Sequence, residues 1–212
     1  DSAYFDPVLW HNGEQEAYEG YCSDIFANGA IDFIEKNKDN PFFCYLTFNA
    51  PHTPLQLPQK YYDMYKDIDP AVGFDESPAM TEKDKEDARK VYGMVSNIDD
   101  NIGRLLEKLD ELNIADNTLL IFLTDNGPQQ RRYVGSMRGR KTMVYRGGVR
   151  VPMLLRYPAK FQDSKTVTTT ATHMDILPTV ASFTGAKVPN DRQIDGKSLT
   201  SLLDGEELDW AE

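Results

Sequence analysis

The fold class is decided by residues 118–127, which read TLLIFLTDNG. Seven residues that are apolar or β-branched come first, and this composition is typical of a strand that is covered on both faces. The polar residues Asp125, Asn126 and Gly127 follow at the carboxyl end of that strand. Ligands of open α/β sheets bind beyond the carboxyl ends of the strands. Asp125 and Asn126 are therefore the first candidates for a functional site.

A long amphipathic helix is predicted immediately before this strand. Thr81 is a suitable N-cap, and apolar residues then recur at alternating steps of four and three. Gly93, Gly103 and the strand that follows favour packing against a sheet over a coiled coil. The members of the apolar stripe are Val91, Val95, Ile98, Ile102, Leu105, Leu109 and Leu112.

A second helix and strand are predicted nearer the N-terminus. Residues 25–34 have roughly helical apolar spacing, and the polar residues 35–40 end that helix before Pro41. Residues 42–48, FFCYLTF, predict a strand covered on both faces. The strand leads into a proline-rich loop that contains His52.

The rest of the chain continues the alternation of strands and helices. Residues 54–80 predict an irregular surface excursion with at most short helices. Residues 149–157 predict a third strand, which Pro152 places near an edge or a bend. Residues 173–184 predict a helix with a kink or a late start at Pro178. The alternation predicts an α/β sheet with helices on its faces.

Composition excludes several classes of protein. The 212 residues are 40% hydrophobic, which is typical of a globular chain. A net charge of -11 argues against nucleic-acid binding, and two cysteines, Cys22 and Cys44, are too few for a disulfide scaffold. No apolar run is long enough for a membrane span, and the first ten residues lack the pattern of a signal peptide.

Two neighbouring features indicate a site for a cation and an anion. Asp125 and Asn126 offer hard oxygen ligands, which suit Ca²⁺ or Mg²⁺. Residues 128–150 contain seven Lys and Arg residues and no Asp or Glu, and such a segment suits an oxyanion. The residues alone leave two simpler interpretations open, namely a plain Asn-Gly turn and a solvated charged face.

Four ordered segments resemble the type I sulfatases, members of the alkaline-phosphatase-like superfamily, over residues 20–205. They are PFFCYL with APHTP (41–54), NTLLIFLTDNG (117–127), MRGRK with YRGGVRVP (137–152), and HMDILPT with DGKSL (173–199). The resemblance implies one partial sulfatase catalytic domain over residues 1–212, with a central sheet flanked by helices. It also implies that the N-terminal portion and the final strands of that domain are missing.

The resemblance implies roles for four residues. Asp125 and Asn126 match the ligands of Ca²⁺, or of Mg²⁺ in some relatives. His52 and Lys141 match the residues that bind the sulfate group and act in catalysis. Residues 127–148 then form a basic active-site loop, which we call the basic loop. Arg146 departs from the family pattern, since relatives commonly carry Glu at that position.

The nucleophile of the family is absent from this sequence. Sulfatases use a formylglycine made within a C/S-x-P-x-R motif, and neither Cys22 nor Cys44 begins such a motif. We therefore expect the formylglycine in a longer parent protein, whose upstream segment would complete the site. Residues 1–212 alone are expected to be inactive or nearly so.

Three functions follow from these observations. The first is a sulfuric ester hydrolase that acts on an aryl sulfate or a sulfated carbohydrate. The alternatives are a phosphomonoester or phosphonate hydrolase of the same superfamily and a non-catalytic module that binds anions or glycans. Nucleic acid is not an expected partner, and the resemblance implies a periplasmic or secreted location.

Overall fold

The computed structural model describes residues 4–74 and 76–206, and these fall into two compact units divided after residue 161. No helix among these described residues is long and apolar enough to cross a bilayer. The assignment of residues 1–212 to one domain stays a prediction. In chain order the elements are β1 (Val8–His11), β2 (Glu14–Ala17), α1 (Cys22–Asn37), α2 (Gln59–Asp63), α3 (Glu82–Glu111), β3 (Leu120–Leu123), α4 (Arg146–Val149), β4 (Met153–Arg156), α5 (Ile176–Thr184) and α6 (Thr200–Asp204).

Helices α1 and α3 pack against each other and build the core of the first unit. The predicted cap of α3 is confirmed, because Thr81 Oγ1 accepts from the Asp84 amide at 3.1 Å and the Asp84 carboxylate accepts from the Thr81 amide at 2.8 Å. Helix α1 begins at Cys22, three residues before the predicted start. Apolar side chains of both helices form one buried cluster: Ala30, Ile34, Leu105 and Leu109, with Ala115 after α3.

A polar network also joins these two helices. The amides of Asn97 and Asn101 are 0% and 2% exposed, and both donate to Asp24 Oδ1 at 2.7 Å. The Arg104 guanidinium donates to Asn101 Oδ1 at 2.8 Å. Buried amides require partners, so the Asp24 carboxylate specifies how α1 and α3 align.

The prediction of a strand covered on both faces at residues 42–48 is wrong. The segment is in no sheet among residues 4–74 and 76–206, although its side chains alternate between covered and exposed positions. Phe42, Cys44 and Leu46 pack on the α1–α3 cluster, whereas Phe43 and Tyr45 are 75% and 81% exposed. One face of the segment is therefore covered and the other is open, because alternate side chains of an extended chain point to opposite sides.

The strands of the first unit form two antiparallel pairs. Strand β3 pairs with β4. Strand β4 begins at Met153, directly after Pro152, and not at residue 149 as predicted. The β1–β2 hairpin was not predicted. Its turn is Asn12-Gly13, with φ angles of 51° and 92°, a local signal that the sequence did contain.

The second unit has the late helix start predicted at Pro178. A 3₁₀ turn at His173–Asp175 leads into α5, where Pro178 lies in the first turn and needs no amide partner. The buried Asp175 carboxylate accepts from the Lys197 amide at 2.8 Å, and Thr179 Oγ1 accepts from the Leu199 amide at 2.8 Å. The two ordered motifs in this region therefore pack on each other.

Three glycines bring the loop after β3 against α4, and we call this contact the glycine crossing (Gly127, Gly147 and Gly148). The Gly127 amide donates to the Gly148 carbonyl at 2.8 Å. A Cβ at Gly127 would overlap the Gly147 carbonyl oxygen, and Cβ atoms at Gly147 and Gly148 would overlap carbonyl oxygens of residues 137–143. The main chains approach so closely that only glycine fits.

Gly127→Ala tests the glycine crossing. The added methyl group must displace the Gly147 peptide, so we expect a loss of about 1–3 kcal/mol in the free energy of unfolding. Gly103→Ala is the matched control, because nothing lies within 4 Å of a Cβ at that helical position. The control should stabilise the protein by about 1 kcal/mol. Urea denaturation measures both variants, and equal stabilities for the two would contradict the crossing.

Asp24→Ala tests the network between α1 and α3. The buried Asn97 amide would lose its acceptor and Asn101 would keep only the Asn97 oxygens, so we expect the free energy of unfolding to fall by about 1–3 kcal/mol. Asp32→Ala removes an exposed carboxylate from the same helix and should change it by less than about 0.5 kcal/mol. Equal urea midpoints for the two variants would show that Asp24 has no such role.

Candidate functional site

Asp125 and Asn126 lie where β3 ends and the chain turns into the glycine crossing. The Asp125 side chain is exposed and Asn126 is half-buried. The Asn126 Nδ2 atom donates to the Gly127 carbonyl at 3.0 Å, which directs the amide oxygen away from that contact. The pair therefore presents a carboxylate and an amide oxygen side by side.

This oxygen pair fits part of a hard-cation shell. Ca²⁺ takes about six to eight oxygen ligands, and carboxylate and amide oxygens are among those it prefers. Within residues 4–74 and 76–206, no group of three or more His, Cys, Asp and Glu side chains lies close enough to hold a metal ion. The described residues thus supply the right kind of ligand in too small a number for a complete shell.

A main-chain contact ties Lys141 to the segment that follows this pair. The Lys141 amide donates to the Pro128 carbonyl at 2.9 Å, two residues beyond Asn126. The next residue, Thr142, has a φ angle of 72°, in the left-handed region that a β-branched residue rarely adopts. Such strain persists only where the surrounding structure imposes it, and here it accompanies the turn that carries the lysine.

His52 is exposed in the loop that follows residues 42–48, and its ring has a defined orientation. The Nδ1 atom lies 2.8 Å from the Thr53 carbonyl oxygen. A carbonyl oxygen only accepts hydrogen bonds, so Nδ1 carries the proton that is shared in this contact. The Nε2 atom is then the ring nitrogen that faces a ligand, as an acceptor when neutral and as a donor when protonated.

A common core cluster connects the His52 loop to the end of β3. Ala50 is buried in a cluster with Tyr4, Tyr21, Met94 and Ile98, together with Cys22, and Phe122 packs against the same cluster. His52 follows Ala50 by two residues and Asp125 follows Phe122 by three. The segments that lead into the two loops thus pack on one core cluster.

Two buried tyrosines support the His52 loop, and the sequence did not indicate them. The Tyr4 hydroxyl donates to the His52 carbonyl at 2.9 Å, and the Tyr21 hydroxyl donates to the Gln56 carbonyl at 2.9 Å. Burial, with the nearby Cys22 thiol, raises the pKa of Tyr4 to about 12, so this hydroxyl remains a donor at neutral pH. The contacts join residues far apart in the chain, and no local pattern marks them.

The cations of the basic loop do not all face one ligand. The Arg131 guanidinium stacks on Phe74 at 5.0 Å and donates to the Ala79 carbonyl at 3.2 Å. Arg138 stacks on Tyr145 at 4.0 Å. Burial lowers the pKa of Arg132, whose NH1 atom has no hydrogen-bond partner among the described residues. Two of the predicted anion-binding cations therefore anchor the loop, and Lys141 is held by its main-chain contact with Pro128.

Comparisons with known proteins place this chain among the sulfatases. The Sulfatase family profile matches residues 3–186. Steryl-sulfatase of Rattus norvegicus is 32% identical in an alignment of 203 positions, which covers 89% of this chain and 30% of that protein. A sulfatase of Formosa agariphila is 32% identical in an alignment of 227 positions, gaps included, which covers 96% of this chain and 38% of that protein. The chain thus spans about a third of the length of these relatives.

Solved structures show the same relationship. Ps i-CgsB, in complex with k-i-k-neocarrahexaose, has a TM-score of 0.79 and 32% identity over 93% of this chain and 42% of its own. The putative sulfatase yidJ of Bacteroides fragilis has a TM-score of 0.84 and 25% identity over 97% of this chain and 47% of its own. These similarities confirm the predicted α/β, alkaline-phosphatase-like fold. Because the family profile and relatives at 32% identity both match most of it, the chain belongs to the sulfatase family.

Proposed function

We propose that the protein to which this chain belongs hydrolyses a sulfate ester at the site formed by Asp125, Asn126, Lys141 and His52. The observation that carries this proposal is the contact between the Lys141 amide and the Pro128 carbonyl. That contact holds the main chain of Lys141 at Pro128, two residues beyond Asn126, in a chain of the sulfatase family, which supports a site that combines the lysine with the two oxygen ligands. A cation site beside a lysine suits a sulfate group, whose oxygens need positive charge on more than one side.

Lys141 and His52 then have distinct tasks. The Lys141 ammonium acts as a point charge on a sulfate oxygen and stabilises the charge that develops as the S–O bond breaks. The contact with Thr53 holds the His52 ring so that a protonated Nε2 donates to the departing oxygen. The alcohol leaves more readily once this oxygen has received the proton.

Asp125 and Asn126 would hold Ca²⁺, or alternatively Mg²⁺, through their side-chain oxygens. A cation bound there would add positive charge against the sulfate group. We expect the formylglycine nucleophile to be supplied by sequence outside residues 1–212, since no C/S-x-P-x-R motif occurs within them.

The proposed substrate is an aryl sulfate or a sulfated carbohydrate. Steryl-sulfatase and Ps i-CgsB, whose solved complex contains an oligosaccharide, are similar to this chain at 32% identity. Residues 128–140 lie between Gly127 and Lys141 and follow the oxygen pair in the chain. Loops in this position commonly select substrates.

Lys141→Ala in the full-length protein tests this function. We expect kcat for 4-nitrocatechol sulfate to fall by about 10²–10³-fold, because the charge on the sulfate oxygen is lost. Lys36→Ala is the matched control, since it removes an exposed ammonium group from the last turn of α1. The control should keep the kcat of the unchanged protein.

Two results would overturn the proposal. One is the absence of sulfate-ester turnover in full-length protein whose formylglycine has been verified by mass spectrometry. The other is a kcat/KM for 4-nitrophenyl phosphate that exceeds the value for the sulfate ester, which would favour a phosphomonoester hydrolase. A third outcome would indicate a non-catalytic binding module. In that outcome the protein binds anions through Lys141, keeps this binding in the presence of a chelator, and hydrolyses no ester.

Calorimetry tests the oxygen pair without an activity readout. Two ligands are fewer than a Ca²⁺ shell needs, so we expect residues 1–212 alone to bind Ca²⁺ only weakly, with a Kd near or above about 10⁻³ M. The full-length protein should bind more tightly, and Asp125→Ala should abolish that gain. Tight binding by residues 1–212 alone, or no effect of Asp125→Ala, would contradict the assignment.

A further inference from the structure

The main chain of the His52 loop is held by a buried side chain from outside the loop. The Tyr4 hydroxyl donates to the His52 carbonyl at 2.9 Å, and the Tyr4 amide donates to Gln56 Oε1 at 3.0 Å. Tyr4 therefore contacts both the histidine and the residue four positions beyond it. The His52 side chain itself is exposed, so the loop is held through its main chain and through buried neighbours such as Ala50.

Tyr4 is a rigid support. Its side chain is 4% exposed and stacks on Tyr21 with ring centroids 5.8 Å apart and an angle of 21° between the rings. The Cys22 amide donates to the Tyr4 carbonyl at 2.7 Å, which ties the tyrosine to the start of α1. A hydroxyl held in this way cannot follow a moving loop, so it sets the position of the peptide that it binds.

We propose that Tyr4 is a positioning residue for His52, an inference that rests on the proposed function. Tyr4 touches the main chain of His52, while the Thr53 carbonyl orients the ring. Together the two contacts define the place and the direction of Nε2. Because a misplacement of about 1 Å at a reacting group lowers the rate by about 10²-fold, even a partial shift of this loop should be measurable.

Tyr4→Phe in the full-length protein removes only the hydroxyl group. We expect kcat for 4-nitrocatechol sulfate to fall by about 10-fold and KM to change by less than about twofold, because a small displacement of His52 costs most in the transition state, where the departing oxygen receives its proton. Tyr61→Phe is the matched control. Tyr61 is also 4% exposed, and its hydroxyl donates to Asp100 Oδ2 at 2.7 Å and not to the His52 loop, so kcat should stay within about twofold.

The same substitution in a His52→Ala background separates positioning from stability. If Tyr4 acts through His52, Tyr4→Phe should lower kcat no further in that background, whereas a structural role gives the same loss in both. Equal losses in the two backgrounds, or an equal loss in Tyr61→Phe, overturn the positioning role alone. A wild-type kcat in His52→Ala overturns the proposed role of His52 together with that of Tyr4. Melting temperatures of all variants confirm that each is folded.

Discussion

The site depends on the close approach of two main-chain segments at the glycine crossing. Gly127 donates to the Gly148 carbonyl, and side chains at Gly127, Gly147 or Gly148 would overlap neighbouring carbonyl oxygens. The contact at this crossing is between peptide groups and not between side chains. It folds the basic loop back on itself, so that Lys141 meets Pro128 just beyond the oxygen pair.

The second half of the site is built in a different way. The segment that leads to His52 packs on a core cluster that includes Ala50 and also contacts Phe122 of β3. Tyr4 and Tyr21 then fix the exposed loop by hydroxyl contacts to its carbonyls. The half of the site near Asp125 therefore depends on glycines, which have no side chain. The half near His52 depends on large buried side chains.

The basic loop illustrates why a run of charge is not itself a binding site. Arg131 and Arg138 use their planar guanidinium groups to stack on Phe74 and Tyr145. These contacts hold the loop and suit arginine better than lysine, which lacks a planar face. The proposed role of Lys141 needs a compact point charge, which a lysine ammonium group provides. The division between stacked arginines and this lysine therefore agrees with the proposed roles.

The sequence by itself determined the features that depend on near neighbours. The cap at Thr81, most of the stripe of α3 and the late start of α5 at Pro178 arise from interactions within a few residues and were predicted correctly. Val95 was assigned to the stripe wrongly, since it is 47% exposed and Met94 is buried in its place. The ordered motifs also identified the family and four candidate residues, whose individual roles remain predictions. The Asn12-Gly13 hairpin was equally local and was overlooked.

Only the tertiary structure decided which surfaces are covered and which distant groups meet. Phe43 and Tyr45 belong to a segment that is apolar throughout, yet they are exposed, because covering a face requires an element from elsewhere in the chain. The contact of Tyr4 with His52 spans 48 positions, and no sequence pattern near either residue indicates it. Local patterns specify local hydrogen bonds and periodicity, whereas contacts between distant residues form only when the whole chain packs.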